Sequence, residues 1–94
     1  MKQYKARILP EHIRAVNVGA TVPVILEHQI YGDLLGEVHI VDEHHGSISG
    51  AGFVVGQKLS AGSFVTGGGK HEVREVSVTT SPIFPECEFL EVLE

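Results

Sequence analysis

No stretch of this chain runs far before a glycine, proline or other turn-forming residue interrupts it. The pieces left between interruptions are short: TVPVILEHQ, LGEVHIVDE, SISGAGFVVG, GSFVTG, HEVREVSVTT and ECEFLEVLE. Long helices need a sustained period of 3.6 residues, whereas strands are complete in five or six residues. Within the pieces, apolar and polar residues tend to alternate, as half-buried strands require. Tyr4, Ala6 and Ile8 against Gln3, Lys5 and Arg7 predict a first strand that ends at Pro10. Val73, Val76 and Val78 slip out of strict alternation with Glu72, Glu75 and Ser77, which predicts a bulge near Arg74–Glu75.

A single segment, PEHIRAVNVG, reads as helical. Pro10 suits a first turn, Glu11 complements the helix dipole and Gly19 supplies a C-terminal stop. The expected architecture is mainly β: a small compact barrel or sandwich of six to seven short strands, with one short helix near residues 10–18. Residues 1–94 are expected to form a single β-rich domain. Phe53, Phe64, Phe84 and Phe89, with Tyr4 and Tyr31, are its candidate bulky packing groups in the absence of tryptophan.

Charge excludes some partners. A formal net charge of −5 does not suit a surface that must neutralise phosphates, so no nucleic acid is expected. The charge is also uneven. Lys2, Lys5, Arg7 and Arg14 lie early, while Glu86, Glu88, Glu91 and Glu94 form an acidic close with no basic residue after Arg74. This asymmetry fits solvated strand faces, pairing between the two ends, or contact between subunits. No apolar run is long enough to span a bilayer, and the opening MKQYKARILPEHIR has no apolar signal core, so no membrane association is expected. Cys87 stands alone, which rules out an internal disulfide and suits a reducing compartment.

Six histidines invite a metal reading, and His39, His44 and His45 lie close to Asp42 and Glu43. Adjacent strand residues point to opposite faces, however, and no second group has zinc-ligand spacing. No metal or other cofactor is expected, and His44-His45-Gly46 reads as a solvated turn. The run Gly67-Gly68-Gly69-Lys70 lacks the spacing of a phosphate-binding loop and continues into a strand, so it reads as a hairpin turn.

Serine chemistry is the remaining option. A nucleophilic serine needs a base, a group to orient that base, and donors for the oxyanion. His28 follows the apolar run Val24-Ile25-Leu26, where it can sit at a strand end. Ser60 lies beside Ala61 and Gly62, whose small side chains leave backbone N–H groups approachable. Glu75 and His71 on the next segment are candidates for the third position. The same residues also fit a plain hairpin serine and a hydrogen-bonded histidine.

These pieces, in this order, resemble the phage prohead (capsid maturation) serine proteases, whose fold is related to the herpesvirus assemblins. That family has a strand ending like "LLWNHD", then a "PIG-V" turn, then "LSIGF" and a strand like "EVSLVTFPANP". Here VPVILEHQ places His28 on the family's histidine, and Leu35-Gly36-Glu37-Val38 is similar to the turn. LSAGSFV places Ser60 on the nucleophile, and REVSVTTSPIFPE places Glu75 on the glutamate. The likeness spans about residues 22–92. It departs in three places. No room remains for a helix before the serine motif, Ser63 is an extra residue before the aromatic, and the N-terminal "GYAS-FG" segment is reduced to QYKARILP.

The resemblance implies that Ser60 attacks the scissile carbonyl with His28 as base and Glu75, or alternatively His71, orienting the imidazole. Backbone N–H groups of Ala61 and Gly62 would hold the oxyanion. The implied partners are phage scaffold or capsid proteins inside assembling heads in the host cytoplasm, with self-association possible. The alternative is a non-catalytic phage head or virion protein with a degenerate protease-like barrel. A small β-domain binding protein unrelated to phages is a third reading.

Overall fold

The computed structural model describes residues 2–93, so Glu94 of the acidic close lies outside the described residues. Eight strands form one sheet: β1 (Lys2–Arg7), β2 (Arg14–Ala15), β3 (Thr21–Leu26), β4 (Gly36–Ile40), β5 (His45–Gly50), β6 (Leu59–Gly67), β7 (Lys70–Val78) and β8 (Phe89–Val92). Their order is β2-β7-β3-β4-β5-β1-β8, with β6 on the other side of β7. The sheet then closes on itself. Leu59 N–H donates to the Cys87 carbonyl at 2.9 Å and Phe89 N–H to the Gln57 carbonyl at 3.0 Å, which joins β8 to the start of β6 through a bridge between Lys58 and Glu88.

Alternation decides what fills the barrel. Tyr4, Ile8, Val24, Val38, Ile40, Ile48, Leu59, Val73, Val76 and Phe89 are buried in one cluster. Burying each such large side chain contributes roughly 1.5–3 kcal/mol. Tyr4, Phe53 and Phe89 pack as an aromatic trio with ring centroids 4.8–5.5 Å apart. Phe64 and Tyr31, expected in the packing, are instead exposed, Tyr31 almost completely. Tyr31 rides on a loop beyond β3, and Phe64 lies outside the barrel under the Arg74 guanidinium, 4.8 Å from its ring centre.

The short helix near residues 10–18 does not form. Pro10–Ile13 makes one turn, closed by Ile13 N–H on the Pro10 carbonyl at 3.1 Å, and the chain then enters β2 parallel to β7. Tertiary pairing wins over local propensity here. Ile13 and Ala15 are buried, and Asn17 clamps the Val73 backbone by donating from Nδ2 to its carbonyl at 2.8 Å and accepting its N–H at 3.0 Å. A helix would forfeit both contacts.

The basic first strand and acidic last strand run side by side, with Lys5 opposite Glu91. The β6–β7 hairpin turns at Gly67, Gly68 and Gly69, all with positive φ that side-chain-bearing residues rarely adopt. Its ladder skips one residue of β7: Gly62 faces Glu75 and Ser63 faces Val73, leaving Arg74 as the extra residue of a bulge. Arg74 is exposed and Glu75 half-buried, while Val73 and Val76 stay in the core.

Candidate functional site

Leu26 ends β3, and the next two residues, Glu27 and His28, both take left-handed backbone angles, with φ of 48° and 58°. Such angles cost of order 1 kcal/mol or more for a residue with a side chain, and they persist only where surrounding contacts enforce them. β7 enforces them here. Glu27 N–H donates to the Val78 carbonyl at 3.0 Å, and the Glu27 carboxylate accepts the Thr79 hydroxyl and the Thr80 N–H, each at 3.0 Å. His28 N–H donates to Ser77 Oγ at 3.0 Å. The turn therefore folds back across β7 and delivers the imidazole to its outer face.

There the imidazole meets a carboxylate. His28 Nδ1 lies 2.7 Å from Glu75 Oε1, and Ser77 Oγ donates to Glu75 Oε2 at 2.8 Å. Ser77 Oγ also lies 3.1 Å from His28 Nδ1. Ser77 is fully buried, its single O–H spent on Glu75 while its oxygen accepts from the His28 backbone. It orients the carboxylate and is closed to a substrate. With Nδ1–H donating to Glu75, Nε2 is the imidazole's free acceptor, on a side chain about half exposed.

The strand opposite explains how a carboxylate fits against the sheet. Gly62 faces Glu75, and a Cβ at Gly62 would collide with the Glu75 carboxylate. The carboxylate occupies the space that any other residue at position 62 would fill.

Ser60 stands directly across from Ser77 in the same ladder. Opposed residues of antiparallel strands project to the same face, so Ser60, Gly62, Glu75 and Ser77 share one side of the hairpin with His28. Ser60 is buried to 6% exposure, and among the described residues its hydroxyl makes no hydrogen bond with His28. The hydroxyl at the imidazole belongs to Ser77. Beside Glu75, a groove of about 310 Å³ is lined by Pro23, Ile25, Ile30, Leu34 and Arg74.

The expected oxyanion donors differ in availability. Leu59 turns its N–H toward β8, so strand alternation turns Ser60 and Gly62 toward β7 and leaves Ala61 and Ser63 facing away from it. The Gly62 N–H faces its ladder partner and is not a free donor. The Ala61 N–H lies on the open edge.

His71 is not part of the His28–Glu75 cluster. Its Nδ1 lies 2.8 Å from Ser63 Oγ, on the barrel side of the hairpin. Sequence reasoning singled out neither Ser77 nor Ser63 as a partner. Ser77 follows Glu75 at the two-residue spacing of one strand face, a signal already present in EVSV. The turn at His44-His45 is organised by Asp42, whose Oδ1 accepts both backbone N–H groups at 2.8 and 2.9 Å and sits 2.9 Å from His45 Nδ1.

No helix among the described residues is long and apolar enough to cross a membrane. Comparison with known protein families, with curated proteins and with solved structures finds no match to this chain.

Proposed function

We propose that the protein is a serine endopeptidase of the phage head-maturation type, acting on scaffold or capsid-protein segments in assembling heads. The observation that carries this reading is the 2.7 Å pairing of His28 Nδ1 with Glu75, on the strand face that also carries Ser60. A carboxylate on Nδ1 fixes the tautomer and leaves Nε2 as the base, the arrangement an acyl-transfer site needs. The motif order LEHQ, LSAGSF, REVSV supports the substrate class.

In the proposed reaction the Ser60 proton passes to His28 Nε2 as Ser60 Oγ adds to the peptide carbonyl. His28 returns that proton to the leaving amine, and water repeats the sequence to release the acid. Glu75 stabilises the imidazolium in between. Ala61 N–H, on the open edge, would donate to the oxyanion, a contact typically worth about 2.7–4 kcal/mol in such sites. The groove beside Glu75 offers an apolar seat for a substrate side chain.

The test is cleavage of co-expressed scaffold or capsid segments, and of the chain itself, read by mass spectrometry. Ser60→Ala is expected to abolish cleavage while circular dichroism stays unchanged. Cleavage at the wild-type rate in that variant overturns the proposal.

A second reading, a non-catalytic virion protein on a protease-like barrel, is favoured by one observation. Ser77 rather than Ser60 supplies the hydroxyl at the His28 imidazole. This reading expects stoichiometric retention in mature particles, and its presence only in immature heads would count against it.

A further inference from the structure

The hairpin carries a second serine–histidine pair, and it lies on the other face from His28. Ser63 Oγ and His71 Nδ1 are 2.8 Å apart, and both residues are partly exposed. The bulge at Arg74 creates this pair. By shifting the ladder one residue, it sets Ser63 opposite the core residue Val73 and brings it within reach of His71, two residues further along the same face. Without the bulge, Ser63 would face Arg74.

Two features surround the pair. A cleft of about 290 Å³ opens beside it, with an apolar wall of Ile8, Leu9, Ile83, Phe84 and Cys87 and with Ser60 also on its lining. Ala61 and Ser63 border the same cleft and turn their N–H groups away from β7, onto an edge that, among the described residues, β8 joins only at Lys58 and Leu59. In the Nε2–H tautomer, His71 Nδ1 accepts the Ser63 hydroxyl proton. A hydroxyl on a base, unpaired backbone donors next to it and an apolar seat together make an acyl-transfer constellation.

We propose that Ser63 is an acylatable nucleophile, with His71 as its base, for small esters bearing a short apolar acyl group. Ser63 Oγ adds to the ester carbonyl carbon as its proton moves to His71 Nδ1. The carbon–oxygen bond to the alcohol breaks, and the departing alkoxide takes that proton from His71. Water then adds to the acyl-enzyme, giving up a proton to His71, and Ser63 leaves reprotonated as the carboxylic acid is released. The acyl chain lies in the cleft. This site requires neither His28 nor Glu75.

The test uses the full chain with a fluorophosphonate probe and with p-nitrophenyl butyrate. Lys58 and Lys70 bound a tryptic peptide that contains both Ser60 and Ser63, and fragment ions separate the two. The adduct is expected on Ser63. Ser63→Ala should remove it and the ester turnover, and His71→Gln should slow both by about 100-fold or more, the usual contribution of a positioned base. Ser47→Ala, on β5 away from the cleft, should leave both unchanged, with circular dichroism confirming the fold of each variant. An adduct on Ser60 alone overturns this inference while supporting Ser60 as the peptidase nucleophile. Absence of any adduct, or an unchanged labelling rate in His71→Gln, also overturns it.

Discussion

Glu75 lays its carboxylate over the bare Cα of Gly62, on the strand opposite, and from there reaches the His28 imidazole. The dyad therefore depends on a side chain that is missing. Three elements meet at this point: the end of β3, the bulged stretch of β7 and the middle of β6.

The most specific prediction follows from that arrangement. Gly62→Ala should push the flexible end of Glu75 aside and separate it from His28, with little loss of global stability. Imidazole nitrogen NMR of His28 is expected to lose its single-tautomer signature, and cleavage should fall by about 100-fold. Retention of the tautomer in the variant would show that Glu75 reaches His28 by another path.

Asn17 gives a stability prediction far from the dyad. Its side chain satisfies both backbone groups of the buried Val73, so Asn17→Ala leaves two orphaned polar groups. The expected cost is about 1–3 kcal/mol, seen as a lower midpoint of urea unfolding. An unchanged midpoint would mean that water replaces the clamp at no cost.

Cys87 sets an alkaline limit. Burial, aided by the neighbouring Glu86 charge, pushes its thiol up from 9.0 to about 11 against the opposing pull of Arg7 and Lys58. An acid whose pKa is raised on folding stabilises the native state below its unfolded pKa and loses that contribution as pH rises through the folded value. Stability should therefore decline between about pH 9 and pH 11, and Cys87→Ala should flatten the decline. Iodoacetamide should label Cys87 slowly in the native protein and rapidly in urea.

Asp42 acts at the acid end. Burial raises its pKa, but the N–H groups of His44 and His45, with the His45 imidazole, outweigh this and hold the carboxyl below its ordinary value. A depressed carboxyl contributes stability above its unfolded pKa, near 4, and loses it as pH falls through the folded value. Melting temperatures of wild type and Asp42→Asn should converge as pH falls below the ordinary carboxylate range. Curves that stay parallel would remove Asp42 from the acid response.

Much of this architecture is legible in the sequence, and the exceptions have physical reasons. The bulge can be read from Val73, Val76 and Val78, because a core position cannot change faces without an extra residue. The hairpin turn can be read from Gly67 to Gly69. The segment at 10–18 misleads because its capping residues are local signals, whereas the Asn17 clamp on Val73 joins residues far apart in the chain. Tyr31 and Phe64 mislead because aromatic bulk implies burial only when the pattern places it inward. The Ser63–His71 pair was hidden because its register depends on the bulge, and the partner of Ser77 was hidden because residue types carry no distances.

The parallel pairing of β3 with β7 sets a timetable for the molecule. His28 leaves the ribosome 47 residues before Glu75, and until β7 arrives its left-handed turn is held locally by the Gln29 N–H on the Leu26 carbonyl at 2.9 Å. Antiparallel neighbours such as β3, β4 and β5 can associate early, but the other edge of β3 must wait for a strand made much later in the chain. The nascent chain therefore carries a histidine without its carboxylate until the β6–β7 hairpin docks. Whatever chemistry this face performs starts only once the barrel is nearly complete.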